Sequence, residues 1–202
     1  MLYSTIRRYG NKAMMSQELS LTGSASFTFP DGTRALASYY SQVERGEWRG
    51  HARIVIPDKG GLDLLDLVDD GQTVDEPRIH VIYGLSPSEV FLFGGPKAYR
   101  INSNGTVMEE VELYRGRELE EYWDTAIEST EVGILVIYES GCLLLDNMLQ
   151  VSWHIKKYLN DFFYRVSSDE IEFLRDHEER WRLALTDGHV IEPPNDKQPE
   201  ST

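Results

Sequence analysis

The chain has 202 residues, 41% of them hydrophobic and 11% aromatic, enough to bury the core of one large domain or two small ones. Its 34 Asp and Glu against 20 Lys and Arg give a net charge of −14, a field that repels nucleic-acid phosphates and anionic lipid surfaces and so argues against both partners. No apolar run approaches the ~20 residues a helix needs to cross a bilayer, and the lone Cys142 excludes an internal disulfide and any metal cluster built on several cysteines.

Residues 1–15 carry Arg7, Arg8 and Lys12 without a clear period and without the apolar stretch of a secretion signal. They read as a flexible basic arm on a cytoplasmic protein, with Met14 and Met15 as an alternative start to Met1. Residues 16–85 read as an N-terminal antiparallel β module. Leu19, Leu21, Ala25, Phe27 and Phe29 alternate as strand residues do, and Pro30, Asp31, Gly32 and Thr33 spell a turn. Alternation resumes over Ala35–Tyr40 and, across a turn at Glu44–Glu47, over Trp48–Ile56. From Leu62 to Glu76 there are six acids and no Lys or Arg, interleaved with Leu62, Leu64, Leu65 and Leu67. That stretch is either a short helical turn packed on the sheet or an acidic linker. Ile79–Tyr83 returns to strand.

Residues 86–192 read as a second β module with an internal repeat. A shift of 44 residues lays Val90–Phe93 on Ile134–Ile137, Tyr99 and Ile101 on Leu143 and Leu145, Asn102 on Asp146, and Val107 and Val111 on Val151 and Ile155. A fainter copy follows at an offset near 40, around Leu183, Leu185 and Ile191. Four-stranded propeller blades have such a period, and so does an evenly spaced meander; no WD or Kelch-type signature decides between them. Ile134–Tyr138 and Cys142–Leu145 form a hairpin apolar on nearly every residue, which predicts central strands covered on both faces, with Gly141 supplying the backbone angle of the turn. Trp153–Phe163 is ambiguous between strand and helix, Ser167–Glu170 reads as a turn leading into strand, and Thr186–Gly188 as the last hairpin turn. Residues 193–202 are polar and proline-rich and read as a disordered tail. One short α-helix is expected near residues 117–128, where Leu119, Trp123 and Ile127 fall on one face at steps of four. The fold class is thus mainly β, in antiparallel meanders with units of ~44 residues that resemble propeller blades, plus one helix.

No catalytic, metal or cofactor signature stands out. Five dispersed histidines give no ligand spacing, His177 lacks a second histidine one helical turn on, and neither a Gly-x-Ser-x-Gly elbow nor a phosphate loop is present. The asymmetry is in the charge. The segment 62–76 carries six acids, and 107–131 carries nine acids against two arginines, so these two segments hold nearly all of the net charge. Within and beside them stand Asp66, Asp69, Asp70, Glu120, Glu121, Trp123 and Asp124, and Trp48 follows a charged turn; acids speed encounter with a basic partner and aromatic anchors hold it. The expectation is a non-enzymatic acidic module that binds a basic protein, of adaptor or toxin-neutralising type. The alternative is a small-ligand or carbohydrate binder or hydrolase using a cleft between the two modules. The sequence leaves the oligomeric state open.

Overall fold

The computed structural model describes residues 16–21, 24–44, 47–65, 78–83, 86–113, 126–138, 141–157 and 161–192. Within them the protein is all-β, with seventeen strands in four antiparallel sheets and no helix. Strands β1 (Ser16–Ser20), β2 (Ser24–Thr28), β3 (Arg34–Glu44), β4 (Glu47–Ile56) and β5 (Gly60–Leu65) open the chain. Then come β6 (Arg78–Tyr83), β7 (Glu89–Phe93), β8 (Lys97–Asn102) and β9 (Val107–Glu112). The remainder is β10 (Ala126–Ser129), β11 (Ile134–Tyr138), β12 (Gly141–Leu145), β13 (Val151–Lys156), β14 (Asp161–Val166), β15 (Glu170–Arg175), β16 (Glu179–Ala184) and β17 (Val190–Glu192). The sheets run β2-β3-β4-β5, β1-β6-β7-β8-β9, β10-β11-β12-β13 and β14-β15-β16-β17. Each is a meander of sequence neighbours, and β1 alone joins a sheet out of chain order.

By contacts the chain divides into two compact units, Met1–Leu119 with Asn147–Gln150, and Glu120–Asp146 with Val151–Thr202. In the first unit Phe27, Ala35, Ala37, Ile54 and Leu64 from β2–β5 share a core with Leu19, Ile79, Val81, Val90, Leu92 and Ile101. Asp31 fixes the β2–β3 turn: its Oδ1 accepts from Thr33 N at 2.8 Å and its Oδ2 from Ser103 Oγ at 2.6 Å. Those bonds hold the Asp31 carboxyl below its ordinary range, the Ser103 hydroxyl contributing most. In the second unit Leu135, Ile137, Cys142 and Leu144 meet Ile171, Phe173, Trp181 and Leu183. Phe173 and Trp181 stack there with ring centroids 4.6 Å apart, and Trp153 Nε1 donates to Leu185 O at 3.0 Å, so these two tryptophans serve the core.

The 44-residue repeat is a repeat of geometry. Adding 44 to the first residues of β8 and β9 gives Gly141 and Val151, where β12 and β13 begin. The pairing register slips between Arg100 and Ile101 on β8 and between Leu144 and Leu145 on β12, again 44 apart, and once more between Arg182 and Leu183 on β16. In these three meanders an irregularity falls between the last two strands, where a bulge adds twist; β14 and β15 carry a further one between Phe163 and Arg165, and the β4–β5 pairing has none. Asn102 closes the turn after β8, its Oδ1 accepting from Asn104 N and Thr106 N at 3.1 Å each.

Three expectations change. The end of the predicted helix is strand: Ala126, Ile127 and Glu128 pair with Ile137, Val136 and Leu135, because a fully buried neighbour outweighs weak helix propensity. Residues 117–125 of that helix lie outside the described residues. Leu62, Leu64 and Leu65 belong to β5, not to a helical turn or linker, with Leu64 in the core. Gly141 is the first residue of β12, and its constraint is space: a Cβ there would overlap the Tyr138 hydroxyl and crowd Ile155 O. The arm 1–15 and the tail 193–202 also lie outside the described residues.

Gly105 and Gly188 both sit in hairpin turns with positive φ, +79° and +72°, so an alanine strains the backbone equally at each. At Gly188 the added Cβ would also press within 3.0 Å of Ile155 and Trp153, whereas at Gly105 it meets only Lys59 at 3.6 Å. Gly105→Ala should therefore cost about 1 kcal/mol and Gly188→Ala about 2–4 kcal/mol in urea unfolding. Equal losses would mean that Trp153 does not pack over the last turn.

Candidate functional site

Of the residues singled out by charge and aromaticity, Asp66, Asp69, Asp70, Glu120, Glu121, Trp123 and Asp124 lie outside the described residues. Trp48 is placed by its backbone, in β4 opposite Val43. The described part of the second acidic segment holds β9 and β10, and β9 is where charge and geometry meet. It is the last strand of its sheet, hydrogen-bonded to β8 on one side and to no described strand on the other. Its six residues include Glu109, Glu110 and Glu112 and no cation, and its side chains are exposed or half-exposed throughout, with Val107 and Met108 among the exposed apolar residues.

Sequence and packing together explain why β9 lies at the rim. Its inner neighbours β7 and β8 carry Val90, Phe91, Leu92, Phe93, Ala98, Tyr99 and Ile101, all buried, so the apolar strands take the centre of the sheet and the charged one its edge. β8 supplies the local cations. Lys97 Nζ reaches Glu110 Oε1 at 2.5 Å, and Arg100 Nε lies 3.3 Å from Glu89 on β7. An exposed pair such as Lys97–Glu110 contributes at most about 1 kcal/mol. Two cations on β8 against three glutamates on β9 and one on β7 leave this corner of the first unit acidic.

The second unit holds several further chemically notable groups. Cys142 is buried, and burial pushes its thiol up to about 12, which keeps it protonated and unreactive. Burial likewise raises the Tyr138 hydroxyl to about 12, and partial desolvation lowers the His154 imidazole below its ordinary value. Tyr138 Oη and His154 Nε2 share a hydrogen bond whose donor is set by the imidazole tautomer. On the outer face of β14–β16, Glu172 lies between Arg165 Nε at 2.7 Å and Arg180 Nη1 at 3.1 Å, and both guanidiniums flank the Tyr164 ring. Arg182 bridges Glu170 and Glu192 beside them. Three arginines against three glutamates make this face electrically balanced, a cross-strand ladder that holds the sheet. Among the described residues no group of three or more His, Cys, Asp or Glu is placed to hold a metal ion.

No known protein family, curated protein or solved structure matches this chain. The β9 edge is thus read from its own physics. Sequence patterning missed it as a site because the helix expected at 117–128 drew attention to the middle of the acidic segment. The signal was present in the repeat, which aligns Val107 and Val111 with the exposed fourth strand of the next sheet.

Two outcomes check this reading of the second unit. Cys142 in the folded protein should resist a thiol reagent at pH 8 and react fully only in denaturant; rapid modification of the native protein would mean that the strand is open. Asp161 is 1% exposed and receives Arg175 through two contacts, Nε at 2.8 Å and Nη2 at 3.3 Å. Arg175→Met should cost about 3–5 kcal/mol, because it strips a buried carboxylate of its cation, and a loss below about 1 kcal/mol would show that water reaches Asp161.

Proposed function

We propose that this chain is a non-enzymatic, cytoplasmic, acidic module that binds a basic protein, of adaptor or toxin-neutralising type. The observation that carries the reading is the position of β9, an exposed acidic edge strand at the start of the most acidic segment of the chain. Two of the meanders repeat at 44 residues with a register slip at the same step, and we take the meanders as propeller-blade-like units, a scaffold whose fourth strands lie at the rim. Such a scaffold holds an edge rigidly while its core does other work. The charge is well suited to the task. A strongly negative surface raises the encounter rate with a cation-rich partner, and the exposed Val107 and Met108 offer apolar contact once it arrives.

Purification of the native protein at low ionic strength should bring down a stoichiometric basic partner that leaves as salt is raised. A retained small molecule with no protein partner would instead favour a ligand-binding or carbohydrate-acting role. With the partner in hand, a variant combining Glu109→Gln, Glu112→Gln, Glu120→Gln, Glu121→Gln and Asp124→Asn should keep its melting temperature and associate about tenfold more slowly at low salt. That difference should shrink towards none near 0.5 M salt, where the screening length falls to about 4 Å. Equal association rates at every salt concentration would contradict the acidic interface.

A further inference from the structure

We propose that the basic partner is taken up as an added β-strand along the open edge of β9, an inference that rests on the protein-binding reading above and goes on to specify how the partner is held. The backbone supplies the argument. Leu113 N donates to Pro96 O at 2.8 Å, and the register pairs Val111 with Ala98, Glu110 with Tyr99 and Lys97 with Glu112. In an antiparallel ladder alternate residues turn their N–H and C=O groups to the same neighbour. Leu113 and Val111 therefore address β8, and Glu110 and Glu112 point their backbone groups outward, where no described strand receives them.

Charge decides what such an edge accepts. An unpaired edge is a template for any extended chain, including a second copy of the same strand. Three glutamates in six residues set copies of β9 against one another and favour a segment carrying Lys or Arg. An incoming strand would place basic side chains opposite Glu110 and Glu112, and an apolar one opposite Val111, each near 5 Å from its partner. The other outermost strands, β1, β2, β5, β10, β13, β14 and β17, carry at most one acid each and so lack the run of charge that β9 presents. Main-chain bonds would supply affinity and the alternating charges selectivity, the usual division of labour in strand addition.

The test uses the full chain and a heptapeptide of alternating lysine and valine, with binding followed by calorimetry at low salt. Glu112→Pro removes one outward N–H, and a proline whose missing N–H faces away from the sheet leaves the β8 pairing in place. Glu112→Gln removes the same charge and keeps that N–H. The peptide should bind the Pro variant at least about fivefold more weakly than the Gln variant, the loss expected for one to two backbone hydrogen bonds. Independently of any variant, the same peptide N-methylated at each lysine should bind the wild-type chain at least about fivefold more weakly than the plain peptide. Binding that ignores both changes would overturn strand addition and leave docking by charge intact. No binding of the plain peptide to the wild-type chain would overturn the protein-binding reading together with it.

Discussion

A strand that carries apolar side chains on nearly every residue has no face it can leave in water, and β7, β11 and β12 impose that condition on the sheets they centre. Every residue from Ile134 to Tyr138 and from Gly141 to Leu145 is buried, as are Val90 to Phe93. At about 1.5–3 kcal/mol for each large side chain removed from water, no arrangement that exposes one side of these strands can compete. Each must therefore be a central strand and be covered above and below. Exposure then rises outward along the meander, from the buried β12 to a β13 whose residues are exposed or half-exposed in turn.

The same condition fixes where charge can go. Acids cannot enter the central strands without a cation, and where carboxylates are buried they carry one: Asp161 with Arg175, Glu172 between Arg165 and Arg180. Among the described residues, the other acids whose side chains are placed are exposed or half-exposed. β9 places three glutamates on the last described strand of its sheet, and the charge that opposes pairing with a second copy is the charge a basic strand would meet under the proposal above.

Much of this was legible in the residues. The buried hairpin at Ile134–Leu145, the turns at Asp31 and Gly188, the cap at Asn102 and the core roles of Trp153 and Trp181 follow from composition and spacing, because each is a local rule with a local cause. The 44-residue offset relates β8 to β12 and β9 to β13. What failed was decided by strand pairing and not by the pattern within the segment itself. Ala126–Glu128 fits a helix by propensity, yet it pairs with Leu135–Ile137, and no local pattern in 126–128 announces that partner. The leucines of 62–65 sit among aspartates, and only the pairing of β5 with β4 makes them strand. The candidate site was legible as charge in the segment 107–131 but not as an edge, since being last in a sheet is a property of the pairing order and not of any residue.

Amide hydrogen exchange along β9 tests the central claim most directly, because an open edge leaves a pattern no covered strand can imitate. The amides of Val111 and Leu113, which face β8, should exchange slowly, and those of Glu110 and Glu112 should exchange close to the rate of unprotected chain. Uniform protection of all four in the isolated protein would show that the outer side of β9 is already occupied, and would contradict the account.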